Sequence, residues 1–209
     1  QRFLMASCLM HLRRERYVVS NQMLSTAREA LAAARESSRV RGIESQFELG
    51  FLQLWRREFD EAEENLRAAL QMAETAGVAW LWTLSLTYLT VLCRFRGDVE
   101  GVVTYALRAQ DAATSVHMPD YVAVAKGNQA WIALRKGDLS AAKQNGQEAL
   151  AIWRRSPLVY PFQWQALWPL IAVALAQGQE DEMWAHARAL LEPTQQRLPD
   201  ALNTPLEAA

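Results

Sequence analysis

The chain of 209 residues is 51% hydrophobic, which is enough to bury a substantial core. Its 22 basic and 23 acidic side chains leave a net charge of -1, whereas proteins that bind nucleic acids normally carry a basic surface. The composition therefore disfavours a nucleic-acid partner. No apolar run reaches the roughly 18 residues of a membrane-spanning helix, and two cysteines without a disulfide framework are typical of a cytoplasmic protein.

One short pattern returns five times along the chain, at intervals of roughly 40 residues, which indicates stacked helical repeats rather than one globular core. The pattern is a short helix-breaking corner, an apolar residue two positions later, and a small residue three positions after that. The five copies are Glu15–Tyr17–Ser20, Arg57–Phe59–Ala62, Gly97–Val99–Val102, Gly137–Leu139–Ala142 and Gly178–Glu180–Met183. Repeat stacks commonly serve as extended binding surfaces.

The second copy shows most clearly why a helical hairpin is expected. Small residues at Gly50 and Ala62 would allow two antiparallel helices to cross closely, so the tightest crossing is predicted there. Apolar residues also recur three or four positions apart, as on one face of a helix. These are Phe59, Ala62, Leu66, Ala69 and Leu70.

Signals for helix ends support the same layout. First helices close on arginine or lysine and second helices open on aspartate or glutamate, as the helix dipole favours. Glycines at the corners, Gly97, Gly137 and Gly178, predict left-handed backbone directly after a helix.

Prolines predict where the regular pattern is interrupted. Pro157 and Pro161 bracket a break between the fourth and fifth copies, and Pro169 predicts a kink or a late helix start near Trp168. Close to the end of the chain, Thr204 predicts the N-cap of a new helix, with a proline at its first position.

Together these residues resemble the tetratricopeptide repeat family, whose unit is a pair of helices joined by a turn. The positions that match its packing pattern are Cys8, Tyr17, Leu24 and Ala27 in the first copy; Leu49, Gly50, Phe59, Ala62, Leu66 and Ala69 in the second; Leu89, Gly97, Val99, Ala106 and Ala109 in the third; Ala130, Gly137, Leu139, Ala142 and Ala149 in the fourth; and Leu170, Gly178 and Ala187 in the fifth. The long period is similar to that of repeats in bacterial signal-transduction ATPase regulators, such as the maltose-regulon activator family, and in ATPase-linked cyclases.

The resemblance implies an all-α fold, a right-handed α-solenoid of about five antiparallel helical hairpins, in a single repeat domain over residues 1–209. The repeats are expected at residues 1–38, 39–77, 78–118, 119–157 and 158–193, and residues 194–209 are expected to open a further, truncated repeat. A helix that starts so near Ala209 also leads us to expect that the sequence is a fragment of a larger protein.

The resemblance further implies a binding groove, because the first helix of each pair lines the concave face in this family. The side chains expected to line it are Phe47, Phe51, Leu54, Trp55, Thr87, Val91, Arg94, Phe95, Trp131, Leu134, Arg135 and Trp168. Aromatic side chains and arginines are typical of binding hot spots, and an amphipathic helix or an extended acidic, apolar peptide would suit such a groove. The alternative is that the long helices curl tightly and these side chains pack on one another.

The sequence predicts no catalytic residue, no metal site and no cofactor, and therefore no enzyme activity. It contains no phosphate-binding glycine loop and no recognisable nucleophile turn. His186 and Glu182 share a helix face, but two ligands without a third favour a solvated pair over a metal site. Cys8 and Cys93 are interpreted as buried thiols that pack as small apolar residues.

Two functions stay open on the sequence alone. The first is a protein–protein interaction or effector-sensing module of a larger bacterial regulatory protein in the cytoplasm. Its groove would take a peptide, a partner domain, an adjacent domain of the same full-length chain or a small effector. The second is a structural spacer or homodimerisation scaffold with no ligand of its own.

Overall fold

The structure, a computed structural model, describes residues 10–34 and 38–208. Within these ranges every regular element is helical, so the prediction of an all-α fold is confirmed. A helical stretch at residues 10–14 comes first. It is followed by α1 (Asn21–Ala34), α2 (Arg39–Trp55), α3 (Phe59–Ala76), α4 (Ala79–Arg96), α5 (Val99–Ser115), α6 (Pro119–Arg135), α7 (Leu139–Arg154), α8 (Trp164–Ala176), α9 (Glu180–Leu191) and α10 (Asp200–Ala208).

The helices fall into two compact units, residues 1–98 and residues 99–209, and within each unit helices that follow one another in the chain pack together. In unit 1, α2 packs on α1, α3 and α4; in unit 2, α6 packs on α5, α7 and α8, and α9 packs on α8. Each unit therefore contains helical hairpins whose first helices also contact each other, α2 with α4 and α6 with α8. The expected repeat boundaries after residues 38, 77 and 118 each fall between two helices.

The close crossing expected at Gly50 is confirmed. A Cβ atom built on Gly50 would lie 2.9 Å from the Leu66 Cγ and 3.0 Å from the Leu66 backbone nitrogen, so glycine is what allows α2 to approach α3. Ala62, one turn earlier on α3, is fully buried. The absence of a side chain at Gly50 thus allows the two helices of this hairpin to come this close.

Helix α4 is buried along most of its length, although it carries several hydroxyl side chains. Each buried serine or threonine hydroxyl donates a hydrogen bond of 2.8–2.9 Å to the backbone carbonyl four residues earlier in the same helix. The four residues concerned are Thr83, Ser85, Thr87 and Thr90. Buried polar groups are normally hydrogen-bonded, and for these four hydroxyls the backbone of α4 supplies the acceptor.

The corners between helices have the left-handed backbone that was expected. Gly97, Gly137 and Gly178 have φ values of 71°, 80° and 68°, and Arg57 adopts φ 63° at the corresponding corner. In the first copy, the positive φ values lie at residues 16 and 17 instead of at Glu15. A non-glycine residue pays a steric cost in this conformation, so the corner geometry is imposed by the packing of the helices on either side.

The break between the fourth and fifth repeats is confirmed. Of the two outcomes expected near Trp168, a kink or a late helix start, the late start is wrong, because α8 begins at Trp164 and Pro169 lies inside it. The start of α8 is held by two hydrogen bonds to the segment after α9. The Gln163 backbone N–H donates to the Gln195 side chain at 3.1 Å, and the Trp164 indole N–H donates to the Gln196 side chain at 2.9 Å.

The last helix also differs from the prediction. Helix α10 begins at Asp200 rather than after Thr204, because Pro199 and Asp200 provide the helix start and Arg197 bonds the Asp200 carboxylate at 2.9 Å. The expected packing position at Cys8 lies outside the described residues. No described helix has the length and apolar character that crossing a membrane would require.

Candidate binding surfaces

The twelve side chains expected to line a groove are divided between the two units. Those on α2 and α4 lie in unit 1, and those on α6 and α8 lie in unit 2. The two sets are in different environments. In unit 1 most of them are interior residues, whereas in unit 2 they remain partly or fully accessible.

Three of the unit 1 residues do not line a surface. Leu54, Thr87 and Val91 are at most 1% exposed, so we assign them to the interior. Thr87 shows why: its hydroxyl is satisfied by the carbonyl of Thr83 inside α4, which leaves it no polar group to offer a partner. Apolar spacing on a first helix is thus produced by burial between neighbouring helices, not by a groove.

The aromatic residues of α2 and α4 pack on one another, as in the tightly packed alternative. Phe51 and Tyr88 are the buried centre, with ring centroids 4.7 Å apart in a T-shaped arrangement. Phe47, Trp55 and Phe95 are half-buried at the margin of this group. Trp55 contacts the Tyr88 ring at 6.2 Å and the Phe95 ring at 6.0 Å. We call these five residues the aromatic cluster; edge-to-face contacts of this kind stabilise a core beyond their buried area.

Arg94 is also an interior residue rather than a surface arginine. It is 8% exposed, and desolvation of its guanidinium lowers the pKa to about 9. The arginine that does reach the aromatic cluster is Arg57, whose guanidinium carbon lies 5.5 Å from the centroid of the Phe95 ring. The sequence predicted Arg57 only as a corner residue between two helices, and not as a residue that contacts an aromatic ring.

Glu48 is a second residue that the sequence did not single out. It lies on α2, is 6% exposed, and its Oε1 atom is buried without a hydrogen-bond partner. Burial, and after it the charge of Glu44 one turn earlier, raises the pKa of Glu48 to about 7. In the sequence, the signal for this buried carboxyl is a glutamate inside an otherwise apolar stretch of α2.

In unit 2 the predicted residues stay at the surface. Trp131 and Leu134 are half-buried, Arg135 is exposed, and the Arg135 guanidinium carbon lies 5.8 Å from the centroid of the Trp131 ring. A cation over an indole ring is a favourable contact that holds the arginine in place. These side chains therefore lie at the surface at the end of α6.

A second group of accessible apolar side chains lies on the outward side of α8. Trp168 and Ile171 are half-buried and Leu175 is 66% exposed, and their spacing places all three on one side of the helix. The helices α6 and α8 approach closely at Gly127, where an added Cβ would lie 3.2 Å from the carbonyl carbon of Gln165. We call Trp131, Leu134, Arg135, Trp168, Ile171 and Leu175 the tryptophan face.

Many basic residues at helix ends are neutralised within the chain. Arg96 bonds Asp60 at 2.6 Å and also pairs with Glu63, and Arg56 lies 3.0 Å from Glu58. In unit 2, Lys126 and Glu148 form a comparable pair at 2.8 Å. These pairs leave fewer free cations than the sequence pattern suggested, and exposed pairs of this kind contribute little to stability.

The pair of Glu182 and His186 belongs to the same class of contact. The Glu182 carboxylate is 3.7 Å from the His186 ring nitrogen and 2.8 Å from the Lys143 ammonium. Among the described residues, no group of three or more histidine, cysteine or acidic side chains could hold a metal ion. Cys93 is buried, and burial, together with nearby Asp98, raises the pKa of its thiol to about 11.

No family model and no curated protein matches the chain in sequence. Among solved structures, 34 chains are similar. One of them, from the crystal structure of BtubC (BKLC) from P. vanneervenii, matches with a TM-score of 0.64 at 20% sequence identity. The match covers 82% of this chain and 72% of that chain. At this identity the likeness bears on the fold alone, and it agrees with an all-α fold of consecutively packed helical pairs.

Proposed function

We propose that the chain is a binding module without catalytic function, and that the tryptophan face docks an acidic, apolar segment of a partner protein. The observation that supports this most directly is the outward side of α8. It exposes Leu175 beside half-buried Trp168 and Ile171, and the whole helix contains no charged residue. An apolar stripe of this kind fits the apolar side of an amphipathic helix.

Charge favours an acidic partner. Arg135 and Lys136 are both exposed at the end of α6, and within the described residues neither forms an ion pair. The second half of α6, residues 127–135, contains no acidic side chain that would repel a carboxylate. A peptide with apolar residues on one side and carboxylates beside them would therefore contact α8 with the first and Arg135 with the second.

The stacked first helices α6 and α8 are also consistent with the tetratricopeptide-like arrangement expected from the sequence. In our proposal the chain acts as such an arm of a larger bacterial regulatory protein in the cytoplasm. Docking could change the activity of neighbouring domains only if the two states of the whole protein bind the segment with different affinities.

The test uses two synthetic amphipathic helices with leucines on one side, one flanked by glutamates and the other by lysines. Each is labelled and titrated with the chain while fluorescence anisotropy is recorded. We expect the acidic peptide to bind and the basic peptide not to bind. Leu175→Ser should weaken binding of the acidic peptide by about tenfold or more, since it removes a leucine from the contact, and Arg135→Glu should weaken it as well.

Leu107→Ser is the matched control, because Leu107 is also an exposed leucine on a helix of unit 2, at 55%, but lies on α5 away from the tryptophan face. It should bind the acidic peptide like the unmodified chain. Equal binding of both peptides, or no effect of Leu175→Ser, would overturn the proposal. A concentration-dependent dimer that Leu175→Ser abolishes, without peptide binding, would assign the face to self-association instead.

A further inference from the structure

A separate feature of unit 1, independent of the proposed peptide site, is a face of α2 that combines carboxyl groups with aromatic rings. Glu44, Glu48, Phe51 and Trp55 follow one another at spacings of four, three and four residues. This spacing places all four on one side of a helix. Two carboxyl groups and two aromatic rings therefore lie along the same side of α2, with Glu48 and Phe51 buried and Glu44 and Trp55 partly exposed.

The unusual member of this face is Glu48. Its side chain is almost completely buried, and its Oε1 atom has no hydrogen-bond partner. A buried carboxylate oxygen without a donor is costly, and the cost disappears when an N–H group or a cation reaches it. The pKa of Glu48 is raised by burial first and by Glu44 second, and no described cation contributes to it. The chain therefore provides an acceptor but not the matching donor.

The aromatic residues around this face would stabilise a positive charge. Phe47 and Trp55 are half-buried on either side of Phe51, with ring centroids 6.0 Å and 5.7 Å from the Phe51 centroid. The faces of aromatic rings attract cations, and indole does so most strongly. Arg56, the nearest arginine in sequence to Trp55, is occupied by Glu58 at 3.0 Å.

From this combination we propose that the Glu44–Trp55 face of α2 binds an alkylammonium group, such as the side chain of a lysine or one end of a polyamine. The ammonium donates an N–H to the Glu48 carboxylate, Glu44 adds a second negative charge, and the alkyl chain lies against Trp55 and Phe47. A quaternary ammonium lacks the N–H that Glu48 requires, and an uncharged alcohol lacks the charge.

The experiment titrates the chain with three probes of equal chain length: n-butylammonium, n-butanol and butyltrimethylammonium. Binding is measured by the broadening of the ligand signals in NMR spectra. We expect n-butylammonium to bind more tightly than either of the other two. Glu48→Gln should raise its dissociation constant by at least about tenfold, and circular dichroism should show that this variant is folded.

Glu64→Gln is the matched control, because it makes the same charge change at an exposed glutamate of α3 in the same unit. It should bind n-butylammonium like the unmodified chain. Trp55→Leu, which keeps an apolar side chain but removes the aromatic ring, should weaken binding by about threefold. The proposal is wrong if Glu48→Gln and Glu64→Gln bind equally, or if n-butanol or butyltrimethylammonium binds as tightly as n-butylammonium.

Discussion

Units 1 and 2 both place first helices side by side, but they differ in what lies between those helices. In unit 1 the ring pair Phe51 and Tyr88 fills the contact between α2 and α4. In unit 2 a glycine, Gly127, lets the backbones of α6 and α8 approach, and the tryptophans remain partly exposed. Bulky rings at the crossing thus accompany a buried aromatic cluster in unit 1, and a glycine at the crossing accompanies accessible tryptophans in unit 2.

The largest expected effect comes from removing the central ring of the aromatic cluster. Phe51→Ala should lower the free energy of unfolding by about 3–5 kcal/mol, because a buried ring is replaced by a cavity. Trp168→Ala in unit 2 should cost roughly half as much, since that side chain is only half-buried. Urea denaturation followed by circular dichroism measures both. Equal losses would show that the two units bury their aromatic residues alike.

The second effect concerns the buried carboxyl of unit 1, for which unit 2 has no counterpart with so large a pKa shift among the described residues. The pKa of Glu48 is raised from 4.5 to about 7 in the folded chain, so the folded state holds this proton to higher pH than the unfolded state. Its contribution to stability is full below the unfolded pKa and is lost as the pH rises through about 7.

Between pH 4.5 and about 7 the free energy of unfolding should fall by about 3 kcal/mol at most, because each unit of pKa shift corresponds to about 1.36 kcal/mol. Glu48→Gln should remove this slope and should be more stable than the unmodified chain near pH 8. Urea denaturation at a series of pH values gives the comparison, and Glu64→Gln should keep the slope. If Glu48→Gln keeps the same slope, the carboxyl titrates near its ordinary pKa.

The smallest of the three effects compares two helix crossings. A Cβ at Gly50 would meet the Leu66 backbone nitrogen at 3.0 Å, whereas a Cβ at Gly146 would meet side-chain atoms of Leu170 at 2.8–3.2 Å. Gly50→Ala should therefore cost about 1–3 kcal/mol, because helix α3 must move. Gly146→Ala should cost less, because the nearest atoms it meets all belong to one side chain, which can shift more easily than a backbone nitrogen. Alanine favours both helices over glycine, so helix propensity does not produce the difference.

Thermal unfolding of the two variants side by side would check this difference. A Gly146→Ala variant that loses as much stability as Gly50→Ala would show that the Leu170 side chain is fixed as firmly as a backbone atom. The comparison would then locate the rigid part of unit 2 at the contact between α7 and α8.

The hairpins and their corners could be predicted from the sequence because they depend on local spacing. Arg57 shows this well: it occupies a left-handed corner although it is not a glycine, and the 40-residue interval alone located it. The start of α8 could not be predicted, because it is fixed by side chains of Gln195 and Gln196 from a segment some thirty residues later. Spacing within one helix contains no information about such distant contacts.

The candidate surfaces were predicted less completely, for a related reason. Spacing shows which residues share a helix face but not how closely the next helix covers that face. Leu54 and Val91 are therefore interior, while Trp131 and Trp168 stay accessible. Arg94 was expected in the groove because the register of the repeat family places it on a first helix facing the concave side, and Glu48 was overlooked because most glutamates are solvated.

The internal hydrogen bonds of α4 have a consequence for how changes around it should be interpreted. Because Thr83, Ser85, Thr87 and Thr90 bond their hydroxyls to carbonyls of their own helix, these four positions need no hydrogen-bond partner from the helices packed against α4. A substitution in a neighbouring helix can leave a void or a clash beside them, but it does not leave their hydroxyls without a partner. At these four positions a loss of fit is therefore steric, and a compensating change of side-chain volume can repair it.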